Sequence, residues 1–152
     1  MDINTSLSKL ADSTPEGRIR LFACDCCSRL IPVFPDLDLE KLILFGQNRS
    51  SGKTDQDSLL SLRNHFGKIY NSLYPGYGDP SPKTLALSSA GEVAFTDSSL
   101  DAAINALEFS ADAIAKKAAY NATDTEYDRV YDDAYALERG AQSGMLHRFF
   151  GV

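Results

Sequence analysis

Three cysteines fall within four positions near the start of the chain, at Cys24, Cys26 and Cys27. Thiolates bind zinc and act as nucleophiles, so the cluster raises the hypothesis of a metal- or thiol-dependent enzyme. On a helix each residue turns by about 100°, which places Cys26 on the side opposite Cys24 and Cys27. A tetrahedral site would have to recruit His65 or His147. Small thiols buried in a helical core are therefore the favoured interpretation.

A second segment, Gly46–Thr54, looks like a phosphate-binding loop because it ends in glycine, lysine and threonine. Five residues separate its two glycines, whereas the phosphate-binding motif requires about four between them so that the backbone amides can surround a phosphate. No alternating strand–helix pattern surrounds it. We interpret it as a polar loop between helices.

The chain contains no other local catalytic signature, such as a nucleophile elbow or a helix with paired histidines. The sequence therefore predicts no resident metal or cofactor and favours a function other than catalysis.

Acidic residues are concentrated in the last third of the chain, at Asp124, Glu126, Asp128, Asp132 and Asp133. Helical spacing would stack Asp124, Asp128 and Asp132 on one face, where neighbouring like charges cost about 0.2–0.5 kcal/mol per pair. The helix dipole and Arg129 offset part of that cost. Two interpretations stay open, a solvated face and a docking surface for a basic partner.

Tyrosines accompany these acids at Tyr120, Tyr127, Tyr131 and Tyr135. Tyrosine is enriched among the residues that dominate interface energetics. The sequence thus predicts a partner-binding site formed by the five acids together with Tyr127, Tyr131 and Tyr135, and a basic protein as the partner.

Composition supports one folded domain over residues 1–152. Hydrophobic residues make up 43% and charged residues 24%, typical of globular proteins. The net charge is −6, and residues 97–152 contain 10 acids against 5 bases. This field disfavours nucleic acid and anionic lipid as partners.

The cysteine count and the start of the chain point to the cytoplasm. Three crowded cysteines make a poor disulfide framework. The first ten residues lack the basic and apolar regions of a signal peptide, and no apolar run approaches the length of about 18 residues that a membrane span needs.

Helix signals recur along the first half. Thr14-Pro15-Glu16 predicts a helix start, and Pro32 and Pro35 end that element. Asp36 can cap a second helix through Phe45, although residues 42–45 could equally form a buried strand. Asp55 caps a helix whose apolar face contains Leu59, Leu62, Phe66, Ile69 and Leu73.

The second half begins with a proline- and glycine-rich loop over residues 74–82, and residues 84–95 are ambiguous between helix and extended chain. Two long helices follow, at about 98–120 and 123–149, the latter with Tyr127, Tyr131, Ala134, Leu137, Ala141 and Met145 facing inward. The prediction is an all-α fold, an irregular bundle of five or six helices with a long antiparallel C-terminal helix pair.

Both ends of the chain resemble one family. Residues 20–29 are similar to the L-F-A-C-x-C-C-R segment of an uncharacterised bacterial family of alanine-rich helical domains, and residues 142–151 are similar to its Q-x-x-L-L-R-x-I-F-G ending. Ser28 and His147 stand where that family shows arginine. The resemblance implies an all-α domain and no activity.

Size, acidity and the missing catalytic signature together favour a non-enzymatic protein-binding module. The concrete hypothesis is an immunity or antitoxin-like protein whose last helix covers a basic toxin such as a nuclease. The alternatives are a metal- or thiol-dependent enzyme built on the cysteine cluster and a self-associating structural subunit.

Overall fold

The computed structural model describes residues 2–152, which are helical wherever they form regular structure. Seven α-helices and one short 3-10 helix at Pro35–Leu37 follow one another along this part of the chain. The α-helices are α1 (Ile3–Ala11), α2 (Glu16–Ser28), α3 (Leu39–Ser50), α4 (Gln56–Leu73), α5 (Pro82–Phe95), α6 (Ser99–Ala119) and α7 (Tyr127–Phe150). The all-α prediction is confirmed, and the predicted number of helices is too low.

Two elements account for the difference in number. Nothing in the sequence interpretation assigned α1, which Asp2 caps by accepting a hydrogen bond from the Thr5 amide at 2.9 Å. Residues 84–95, left ambiguous, form α5. The alternative of a strand at residues 42–45 is wrong, because they lie inside α3.

Two side-chain caps lie where the sequence predicted them, but Asp36 does not cap the second helix, because it lies in the 3-10 helix and α3 begins at Leu39. The Asp55 carboxylate accepts a hydrogen bond from the Ser58 amide at 2.7 Å at the start of α4, and Ser98 caps α6 through the Asp101 amide at 3.2 Å. Such caps satisfy amides that have no partner inside the helix. The helix predicted from Thr14-Pro15 begins at Glu16, with no side-chain cap.

Helix α5 lies at the centre of the bundle. Most of its residues are buried on every side, and it packs against α6, α3, α2 and α4. A helix covered all round has no polar face and so no amphipathic periodicity, which explains why its sequence was ambiguous. Although α5 is apolar, no helix among residues 2–152 is long and apolar enough to cross a membrane.

Close approach of helices to α5 depends on glycine. A Cβ atom at Gly46 of α3 would lie 2.8 Å from the Val93 carbonyl oxygen of α5. A Cβ at Gly91 of α5 would lie 2.7 Å from the Phe66 ring of α4. A side chain at Gly46 would push α3 away from the backbone of α5, and one at Gly91 would displace the Phe66 ring.

Two arginines hold the C-terminal end of α5. Arg20, only 2% exposed, donates hydrogen bonds to the carbonyl oxygens of Val93 at 2.7 Å, Thr96 at 2.6 Å and Asp97 at 3.0 Å. Arg49 donates to the Ala94 carbonyl at 3.1 Å and to the Asp97 carboxylate at 2.6 Å. The last carbonyls of a helix lack partners within it, and the two guanidinium groups supply them.

The extent of α3 also corrects the interpretation of the segment Gly46–Thr54. The segment is not a loop throughout, because Gly46 to Ser50 complete α3. Only the residues from Ser51 onward connect α3 to α4.

The inward face of α7 differs from the prediction. Leu137, expected inside, is 78% exposed, whereas Glu138, Gln142 and Leu146 are buried. Arg29 of α2 donates two hydrogen bonds to the Glu138 carboxylate, at 2.8 and 3.0 Å. The prediction is therefore wrong for Leu137 and for Tyr127, which is 37% exposed, whereas Met145 packs against the core as predicted. It assumed a wholly apolar inner face, but Glu138 and Gln142 are buried there because other helices supply their polar partners.

Helices α6 and α7 run in opposite directions, since Tyr131 pairs with Asp112 and Tyr135 with Glu108. Gln142 joins them further along by donating to the Leu107 carbonyl at 3.0 Å. The pair agrees in outline with the predicted one, except that α7 begins at Tyr127.

Candidate partner-binding surface

Three tyrosines form a ladder along α7. The ring centroids of Tyr127 and Tyr131 are 6.3 Å apart with an interplanar angle of 14°, and those of Tyr131 and Tyr135 are 5.9 Å apart with an angle of 16°. Their spacing of four residues places one ring above the next on a helix. The three predicted tyrosines therefore lie together, at one side of the last helix.

Carboxylates of α6 hold two of these rings in place. The Tyr131 hydroxyl donates to Asp112 Oδ1 at 2.6 Å, and the Tyr135 hydroxyl donates to Glu108 Oε2 at 2.5 Å. Burial, then the hydrogen bond to the carboxylate, raises the pKa of Tyr135 to about 12 and also raises the pKa of Tyr131. Both hydroxyls thus stay protonated donors at physiological pH.

The sequence interpretation did not select Glu108 and Asp112. They lie four residues apart, as Tyr131 and Tyr135 do, and the two helices run in opposite directions. A matching spacing of acids on one helix and tyrosines on the next is the signal that could have found them.

The five predicted acids are all exposed but do not form one stripe. Asp124 and Glu126 lie in the turn before α7, so the predicted helical stack of Asp124, Asp128 and Asp132 is wrong for its first member. Arg129 lies 3.7 Å from Glu126 and 3.7 Å from Asp133. The acids therefore divide into two groups.

Asp128 and Asp132 are the acids nearest to Tyr135, the last ring of the ladder. At about 100° per residue, they lie roughly 20° and 60° around α7 from Tyr135, whereas Asp133 lies roughly 160° away; Asp128 and Asp132 lie farther from Tyr127, by roughly 100° and 140°. We call Tyr127, Tyr131, Tyr135, Glu108, Asp112, Asp128 and Asp132 the tyrosine–acid face.

The carboxylates of this face form no ion pair with the basic residues of the described chain, residues 2–152. None of the ion pairs among residues 2–152 includes Glu108, Asp112, Asp128 or Asp132. Arg139, one turn beyond Tyr135, donates instead to Gln142 and Asn4, at 3.1 and 3.2 Å. The face therefore combines stacked aromatic rings with four carboxylates that form no ion pair within residues 2–152.

The cysteine cluster lies inside the core, as predicted. Cys24, Cys26 and Cys27 are fully buried, and burial raises the pKa of all three thiols, that of Cys27 to about 12. Cys27 Sγ lies 3.2 Å from Ser89 Oγ. His65 and His147 are exposed, and no group of three or more potential ligands among residues 2–152 has a geometry suited to a metal ion.

We expect the native protein to react with iodoacetamide at all three cysteines only as fast as it unfolds. Alkylation requires an accessible thiolate, and buried thiols with raised pKa values supply almost none. Mass spectrometry of labelled native protein, with urea-unfolded protein as the positive control, measures this. Rapid labelling of any one cysteine under native conditions would contradict the burial described here.

The segments that resemble the bacterial helical family lie in contact. The Phe22 ring of α2 lies 5.8 Å from Phe149 and 5.6 Å from Phe150 at the end of α7. The Arg18 guanidinium lies 4.9 Å from the Phe149 ring centroid.

The chain matches no protein-family model, and comparisons with curated proteins and with solved structures find no significant similarity.

Proposed function

We propose that this chain is a non-enzymatic protein-binding module whose tyrosine–acid face binds a basic protein. The proposal rests on four carboxylates of this face, those of Glu108, Asp112, Asp128 and Asp132. They form no ion pair within residues 2–152, and they lie beside three stacked tyrosines. Unneutralised carboxylates attract a basic surface over a distance and accelerate its association.

The tyrosines would supply the short-range contacts. Their rings pack against one another, and the hydroxyls of Tyr131 and Tyr135 are already bonded to α6, so little side-chain freedom remains to be lost on binding. A surface that is ordered before binding loses less entropy in the complex. Tyrosine is also enriched among the residues whose truncation weakens interfaces most.

The specific form of the proposal is an immunity or antitoxin-like protein that acts in the cytoplasm and neutralises a basic toxin such as a nuclease. The net charge of −6 complements a nucleic-acid-binding surface, which is itself basic. A protein of this kind inhibits by covering the basic surface and needs no catalytic residue.

The decisive experiment compares two variants with the same change in charge. Asp128→Asn with Asp132→Asn removes two carboxylates from the face, and Glu126→Gln with Asp133→Asn removes the two that Arg129 already neutralises. A basic partner is first captured from an extract of the source cells at low salt, identified and purified, and its affinity for each variant is then measured by titration calorimetry.

We expect the first variant to bind about tenfold more weakly and with a smaller dependence on salt, because two attractive charges are lost. The second variant should bind nearly as tightly as the unmodified chain. Equal affinities of the two variants, or capture that does not depend on salt, would refute the proposed function.

A further inference from the structure

A groove of about 460 Å³ lies between the turn after α2, the start of α5 and the end of α6. The apolar residues that line it are Val33, Phe34, Pro35 and Pro82. The volume falls in the range of sites for small organic ligands, which combine an apolar lining with a few placed polar groups.

Two lysines line this groove and are held in position. Lys117 Nζ donates to the Val33 carbonyl oxygen at 2.5 Å and lies 5.0 Å from the Phe34 ring centroid. Lys83 Nζ donates to Asp36 Oδ2 at 2.8 Å. Each ammonium group has three N–H donors and uses one in these hydrogen bonds, so donors remain for a ligand.

The lining of the groove has a net charge of +1, because it contains Lys83 and Lys117 against Asp36, which pairs with Lys83. Asp36 is the one acid in its lining, and Lys83 and Lys117 both lower the pKa of this carboxyl, so it stays ionised beside them. The positive end of the α5 dipole also lies here, because α5 begins at Pro82. Lys116, next along α6, donates to the Pro80 carbonyl at 3.3 Å and adds a further positive charge.

One aromatic side chain at the rim is free to cover a ligand. Tyr120 lines the groove and is 77% exposed, in the turn that follows α6. A tyrosine ring in that position can pack on the apolar part of a ligand whose charged end meets the lysines.

We propose that this groove is a binding site for a small organic carboxylate with an apolar body, whose carboxylate is held by Lys83 and Lys117 and whose body lies on Phe34 under Tyr120. Such a ligand matches both the lysines and the apolar lining of the groove. A purely apolar molecule would make no ion pair with the lysines, and an inorganic anion would make no contact with the apolar residues. The site is separate from the tyrosine–acid face and does not depend on the proposed function.

The experiment uses 4-phenylbutyrate as the probe and the neutral 4-phenylbutyramide as its matched control, each titrated into the full chain labelled with ¹⁵N. We expect millimolar binding of the acid with amide shifts at Phe34, Lys83 and Tyr120, and at least about tenfold weaker binding of the amide. Lys83→Gln with Lys117→Gln should weaken binding of the acid about tenfold, whereas Lys68→Gln on α4, which does not line the groove, should leave it unchanged.

Tyr120→Ala provides a test that does not disturb the core, since this side chain is exposed. We expect it to weaken binding of the acid several-fold with no loss of thermal stability. The proposal is overturned if the acid shifts none of these amides, if the acid and the amide bind equally, or if the shifts lie at another part of the surface.

Discussion

Replacing Arg20 by methionine is expected to lower the free energy of unfolding by about 3–5 kcal/mol. The guanidinium is buried and donates to three carbonyl oxygens at the end of α5, those of Val93, Thr96 and Asp97. Methionine fills a similar volume but removes the donor from all three acceptors, of which the Val93 carbonyl is buried and those of Thr96 and Asp97 are partly buried. Urea denaturation followed by circular dichroism measures the loss.

Two further substitutions make this prediction specific. Arg20→Lys keeps the charge, but its single nitrogen cannot take the places of the two guanidinium nitrogens that reach Val93 on one side and Thr96 and Asp97 on the other, so most of the loss should remain. Arg49→Met removes the neighbouring arginine, whose side chain is partly exposed, and should cost about 1–2 kcal/mol. A stability of Arg20→Met within about 1 kcal/mol of the unmodified protein would show that water can replace the guanidinium.

The second large effect is expected at Gly46. Alanine there would place its Cβ 2.8 Å from the Val93 carbonyl oxygen and 3.0 Å from Cys24 Sγ. The first of these atoms belongs to the backbone of the central helix and cannot move aside alone, so α3 has to shift away from α5. We expect Gly46→Ala to cost about 2–3 kcal/mol in urea denaturation.

Gly67→Ala is the matched control, because Gly67 also lies within a helix and a Cβ there would meet nothing within 4 Å. Alanine is the better helix former by up to about 1 kcal/mol, so this variant should be more stable than the unmodified protein. The two glycine-to-alanine substitutions are thus expected to change the free energy of unfolding in opposite directions. A loss of stability in both would mean that helix packing does not explain the effect at Gly46.

The elements that could be predicted are those that combine a cap with one apolar face. Asp55 and the spacing of Leu59, Phe66 and Leu73 identified α4, and Ser98 identified α6. Helix α5 could not be identified because most of its residues are buried, so that apolar residues are not confined to one face of its sequence. Helix α1 was missed although Asp2 before Ile3 and Leu7 provided a cap and a helical spacing.

Prediction of the candidate surface reached the same limit. Tyr127, Tyr131 and Tyr135 could be placed together because neighbours along one helix follow from spacing alone. Their partners Glu108 and Asp112 belong to another helix, and the register between two helices is set by packing that no local pattern specifies. Burial of Glu138 was unforeseen for the same reason, since Arg29 lies far away along the chain.

The central position of α5 has a consequence for how the protein is made. During synthesis the chain emerges from its N-terminus, so α5 leaves the ribosome before α6, the helix that packs against it most closely. Until α6 has followed, the nascent chain exposes the apolar side chains of Leu85, Leu87 and Val93, which the finished protein buries. Exposed apolar segments of partly made chains are prone to aggregate. Translation pausing while α5 is outside the ribosome and α6 is still inside the exit tunnel should therefore increase the demand for chaperones.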